Sequence, residues 1–219
     1  LGRDVGSYEH DRRRAGLRSA AHAGTPLLLR TLSLRACLLL MTFGAAYLGT
    51  VEVATTQLAM TIWTFLAFAL DAIAIAAQAI IGEYVGARDV LARQQATWMM
   101  VRWGLGFGVI TGLGLAALSP FLGIPFTPDP EVRSALTGVL LVAAIGQPIA
   151  GVVFVLDGVL IGAGEGRYLA VAGLVVLLVF APFVWLAVVG AQSLIWLWVA
   201  FVVAFMGSRS VVLLRRVWQ

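Results

Sequence analysis

The sequence has no lysine, one cysteine and two histidines, and all fifteen of its basic residues are arginine. A lone Cys37 excludes an intramolecular disulfide, and His10 and His22 both fall in the charged first 24 residues, so no Cys/His set has the spacing of a metal site. Hydrolytic signatures are missing too: there is no GxSxG, no HExxH and no histidine inside an apolar run to act as a base. The expectation is therefore a chain that is not an enzyme and needs no cofactor or metal. Charge is also scarce, at 12% of residues against 61% hydrophobic, with a mean hydropathy of +0.96. So little polar surface cannot cover a soluble globule of 219 residues, which makes this a polytopic membrane protein surrounded by a lipid bilayer. The net charge of +4 does not mark a nucleic-acid partner, because the arginines gather in a few loops without interleaved aromatics. Arginine in place of lysine matches a GC-rich, bacterial genome, and Leu1 opens a polar segment rather than a signal peptide.

What the sequence does have is six long apolar runs. Residues 1–24 read as a charged cytoplasmic arm, with both histidines solvated, and residues 25–216 as an all-α bundle of six transmembrane helices. The spans are expected at 27–49, 53–81, 97–119, 134–161, 168–189 and 194–214. Between them, 82–95 and 162–167 read as loops on the side of both termini, and 120–133, with its four prolines, as a turn on the other side. Every arginine outside the spans except Arg133 falls on the first side, which the positive-inside rule makes cytoplasmic. Arg30 and Arg35 lie near an end of the first span and are expected to snorkel to the headgroups, with Arg35 deep enough to pair with an acid. Trp185, Trp196 and Trp198 fit an outer aromatic belt, and Arg209, Arg215, Arg216 and Trp218 an inner one.

The second span organises the rest. Its apolar run from Val53 to Ile81 is broken in the middle by Asp71, and sevenfold spacing places Gln57, Thr64 and Gln78 on the same helix face. A carboxylate in lipid costs several kcal/mol without a partner, so this polar stripe is expected to line a wet cavity or meet other helices. A second acid, Asp157, lies in the fourth span beyond Gln147 and Pro148, and a proline there removes one backbone bond and is expected to bend the helix. The candidate cavity residues are therefore Asp71, Asp157, Gln57, Thr64, Gln78 and Gln147. Gly104, Gly108 and Gly112, four apart in the third span, form a small-residue ladder for close helix packing. They are not a nucleotide loop, since no Lys-Ser/Thr follows.

Three segments, PLLLRTLSLRACLLL (26–40), LDAIAIAAQAIIGEYVGARD (70–89) and LDGVLIGAGEGRYLA (156–170), in this order and spacing resemble the second half of a MATE (multidrug and toxic compound extrusion) transporter of the DinF-like branch. The resemblance covers about residues 12–216. It implies the C-terminal six-helix lobe of a twelve-helix, two-lobed fold, with the N-terminal lobe as partner and residues 1–24 as inter-lobe linker. It also implies efflux by alternating access, in which a proton or sodium ion and a cationic or amphipathic compound compete for negative charge in a central cavity. The membrane would be the bacterial plasma (inner) membrane, with both termini cytoplasmic.

Three other readings compete. A flippase of lipid-linked sugars shares the architecture, but is expected to line its cavity with several cations, whereas the spans offer acids and only Arg35 and Arg102 near their ends. An inactive fragment or partner half-transporter, completed by a lobe from another chain, is a second alternative. An intramembrane aspartyl protease needs two aspartates, but Asp71 and Asp157 both follow leucine, and the glycine-rich loop reads Gly-Ala-Gly-Glu where such enzymes carry Gly-x-Gly-Asp.

Overall fold

In a computed structural model, the structure describes the backbone of residues 4–218 and the side chains of residues 24–218. His10 and His22 therefore lie outside the described side chains. The described residues are helical apart from short turns: α1 (Asp4–Leu48), α2 (Thr50–Gly86), α3 (Val90–Leu122), α4 (Pro130–Gly162), α5 (Gly166–Trp185), α6 (Leu194–Ala200) and α7 (Gly207–Val217). α5 ends in a π-helical turn, Leu186–Gly190, and another, Phe201–Met206, joins α6 to α7. Six stretches are long and apolar enough to cross a membrane: Gly24–Leu48, Thr50–Gly86, Val90–Leu122, Pro130–Gly162, Gly166–Gly190 and Leu194–Val217. The chain is a multi-pass membrane protein.

The helices overrun the apolar runs, and capping chemistry sets where they stop. The loop expected at 82–95 shrinks to residues 87–89, because Arg88 takes a left-handed conformation (φ 57°) and the Asp89 carboxylate accepts a hydrogen bond from the Ala92 N–H at 2.9 Å. α3 thus starts seven residues before its expected boundary, and its added turns carry Arg93, Gln94 and Gln95, which need no lipid. The turn at 120–133 shortens in the same way. Asp129 caps α4 by accepting from the Glu131 N–H at 2.8 Å, and Pro130 occupies the first turn, where its missing N–H costs nothing.

α4 is the axle of the bundle, packed along α2 on one side and α3 on the other, while α1 packs along α5. Its seam with α3 is the glycine ladder. A methyl group on Gly104, Gly108 or Gly112 would sit 2.6, 2.5 and 2.6 Å from the carbonyl oxygens of Gly151, Gln147 and Ala144. Only glycine permits this approach. On the α2 side the small residues belong to α4, where Gly158 lies on the Ala74 backbone and Gly162 on that of Gln78. α4 runs as one helix through Pro148.

Trp185 and Trp196 are exposed, as the outer belt requires, but Trp198 is fully buried. Its ring meets Phe201 with centroids 5.5 Å apart, in an aromatic cluster that includes Phe180 and Phe205. The one-residue spacing between Trp196 and Trp198 puts them about 200° apart on a helix, so they cannot share a lipid face.

Candidate functional site: a charged wall between α1, α2 and α4

The α2–α4 seam explains where the charges sit. Because Ala74 touches Gly158, Asp71, one turn earlier on α2, comes to the same level as Asp157 on α4. Asp71, Gln78 and Asp157 line one concavity of about 490 Å³, closed on its far side by α1. Trp63, Phe154 and Phe205 give it aromatic lining.

The two aspartates meet different surroundings. Asp157 is buried at 6% exposure and lies between two guanidinium groups, Arg30 of α1 at 2.7 Å and Arg209 of α7. Arg209 is 7% exposed and lies over the rings of Phe205 and Phe154, at 5.3 and 5.8 Å from their centroids. The π-helical turn just before it shifts the register of the helix and carries Arg209 toward α4. Asp71 is exposed, makes no ion pair with a described residue and lies within electrostatic reach of Asp157, Arg30 and Arg209. Arg35 also lines the concavity, exposed and without an ion pair among the described residues. The wall therefore presents three arginines and two aspartates.

This corrects three expectations. Arg30 does not snorkel to the headgroups but turns inward to Asp157, because a nearby carboxylate inside the bundle offers a stronger partner than the interface. Arg209 belongs to the buried triad and not to an inner belt. The cavity is also not poor in cations, so the ground on which a flippase was set aside does not hold.

Of the other candidates, Gln57 and Thr64 are exposed on α2 but lie outside the concavity. Gln147 is buried at 1% exposure in the α3–α4 seam, with no hydrogen-bond partner for its side-chain oxygen. The level of Arg209 was legible from depth: Asp157 and Arg209 lie five and eight residues from the helix ends Gly162 and Val217. At 1.5 Å per residue both sit about 8 to 12 Å inside the same end of the bundle. Among the described residues no three His, Cys, Asp or Glu side chains form a metal cluster.

Comparison with known proteins agrees with this architecture. The chain is 33% identical over 195 residues to Protein DETOXIFICATION 45, chloroplastic, of Arabidopsis thaliana, covering 86% of this chain and 33% of that protein. It is 36% identical over 167 residues to Protein DETOXIFICATION 44, chloroplastic, of the same plant, covering 70% of this chain and 30% of that one. Among solved structures it resembles the Vibrio cholerae MATE transporter VcmN in its bent form, with a TM-score of 0.83 at 19% identity over 93% of this chain and 47% of that one. It also resembles a MOP superfamily transporter from Pyrococcus furiosus, described as having a binding pocket of reverse polarity, with a TM-score of 0.75 at 17% identity over 87% and 42%. The chain thus spans about a third of the length of these curated relatives and under half of these structures. The MatE family model matches residues 26–186, and with the six helices and the relatives above this places the chain in the MatE family of transporters.

Proposed function

We propose that this chain is the second, C-terminal lobe of a two-lobed MATE-type exporter, which expels amphipathic compounds by alternating access in exchange for protons or sodium ions. The observation that carries the reading is the contrast on the wall. Asp157 is neutralised by two arginines, whereas Asp71 faces the open concavity with no ion-pair partner among the described residues. A carboxylate so placed is available to bind either a coupling cation or a positively charged substrate, but not both, and that competition couples the two flows. The N-terminal lobe would supply the opposite wall. Asp157 and its arginines would instead hold α1, α4 and α7 in register through the rocking motion.

The basic end, with Arg88, Arg93, Arg102, Arg167, Arg215 and Arg216, is assigned to the cytoplasmic side by the positive-inside rule. The arginine-only composition favours a bacterial inner membrane, and kinship to the DinF-like branch rests on the motifs quoted above.

A second reading is favoured by a specific observation: three guanidinium groups outnumber two carboxylates on the wall, and Arg35 makes no ion pair among the described residues. Such a wall attracts an anionic amphipath, including the pyrophosphate of a lipid-linked sugar. The test is gradient-driven transport by the complete two-lobed protein in proteoliposomes, comparing a fluorescent organic cation with an organic anion. Asp71→Asn is expected to abolish cation export, and unchanged export sinks the role given to Asp71. Export of the anion alone, lost in Arg35→Gln, establishes the second reading.

A further inference from the structure

A second polar concavity, of about 460 Å³, lies at the basic end between α2, α3, α4 and α7. It is separate from the charged wall. On α4 it is lined by Val159, Leu160 and Ala163, whereas the wall takes Phe154, Asp157, Gly158 and Ile161. At about 100° per residue these two sets lie on opposite faces of the helix.

Two arginines line this concavity and differ in what they have to offer. Arg216 is bound through one nitrogen to Glu165 at 2.7 Å and lies over the Tyr168 ring at 5.4 Å. It is thus held in place with donors to spare, since a guanidinium carries five N–H groups. Arg93, half-buried, has no ion pair among the described residues, and Glu165 is the one acid in the lining. The site therefore keeps an uncompensated positive charge. Trp98 and Trp218 border it, with ring centroids 4.9 Å apart, and both remain exposed. Paired indoles at the end of a span sit at headgroup depth, and a basic pocket between transmembrane helices at that depth fits a lipid phosphate.

We propose that this pocket is a binding site for the headgroup of an anionic phospholipid, whose phosphate is held by Arg93 and Arg216 while its upper acyl region packs on Trp98 and Trp218. The site is independent of the substrate charge carried at the wall.

The test is native mass spectrometry of the full chain, released from mixed micelles containing phosphatidylglycerol or phosphatidylcholine with the same acyl chains. Retention of phosphatidylglycerol at least about 10-fold above phosphatidylcholine is expected, falling to parity in Arg93→Gln and in Arg216→Gln. Arg93→Lys, which keeps the charge, and Arg167→Gln, which removes an exposed arginine at the same end but outside the pocket, should both retain the lipid. Because Arg93 makes no ion pair among the described residues, its glutamine variant leaves the Arg216–Glu165 pair intact, and elution as wild type establishes that it is folded. Equal retention of both lipids by the wild-type chain, or wild-type retention in Arg93→Gln, overturns the proposal. Displacement of the lipid by millimolar inorganic phosphate overturns the lipid as ligand and makes the pocket a site for a soluble phosphate.

Discussion

The two sides of α4 are built from the same device and do different things. Toward α3, glycines at 104, 108 and 112 bring backbones into contact along a seam lined by carbonyls and aliphatic groups, with no charge in it. Toward α2, Gly158 and Gly162 bring backbones equally close, but the contact lies beside Asp157 and levels it with Asp71. Close approach by itself makes only an interface. It makes a site when the residues it brings together need water, a partner or a ligand to be tolerated within a bilayer.

The largest effect separating the two seams should come from the triad. Asp157→Ala leaves Arg30 and Arg209 facing each other in an apolar bundle. Breaking a buried ion pair from one side costs about 3 to 5 kcal/mol, so the thermal midpoint in detergent should drop steeply or the chain should fail to elute as a single species. A midpoint within a degree or two of wild type would mean the triad is open to water.

Next comes the uncharged seam. Gly104→Val would drive side-chain atoms into the Gly151 carbonyl and Val155, 2.6 and 2.7 Å from the position of its first carbon. Overpacking of this kind costs about 1 to 3 kcal/mol, and the midpoint should fall while a cysteine introduced at position 71 keeps its reactivity toward a water-soluble thiol reagent. Loss of that reactivity would join the two seams into one unit.

A smaller effect is expected at the ion pair of Arg216 and Glu165, whose side chains are 37% and 32% exposed. Glu165→Gln should move the thermal midpoint only slightly, and less at high salt than at low salt. The smallest belongs to Gly106→Ala and Gly114→Ala. No atom of the described residues lies within 4 Å of either new methyl group, so stability should hold within about 0.5 kcal/mol or rise slightly. A large loss at either would show that the open face of α3 is covered.

The fold was legible from hydropathy because six runs of sufficient length leave few alternatives in a bilayer, and the glycine ladder of α3 was legible from its fourfold spacing. Helix ends were not, because Asp89 and Asp129 extend helices into polar sequence through caps that hydropathy does not register. The site was half legible. A carboxylate in an apolar run marks itself, so Asp71 and Asp157 stood out, but which arginines meet Asp157 depends on the order of packing around α4. Arg209 also follows a π-helical turn that breaks the simple period. Gln147 shows the opposite failure: a polar residue in a span reads as cavity-lining, yet its backbone is what Gly108 packs against, and that contact buries it.

The central claim is that the α2 side of α4 is an aqueous wall and the α3 side a dry seam. Cys37 is fully buried, so the chain offers a near-silent background for single introduced cysteines. Labelling of Asp71→Cys, Gln78→Cys and Gln147→Cys in membranes with a charged, water-soluble methanethiosulfonate reagent tests the claim most directly. The account predicts rapid modification at 71 and 78 and none at 147. Modification at 147 as fast as at 71, or none at 71, would contradict it.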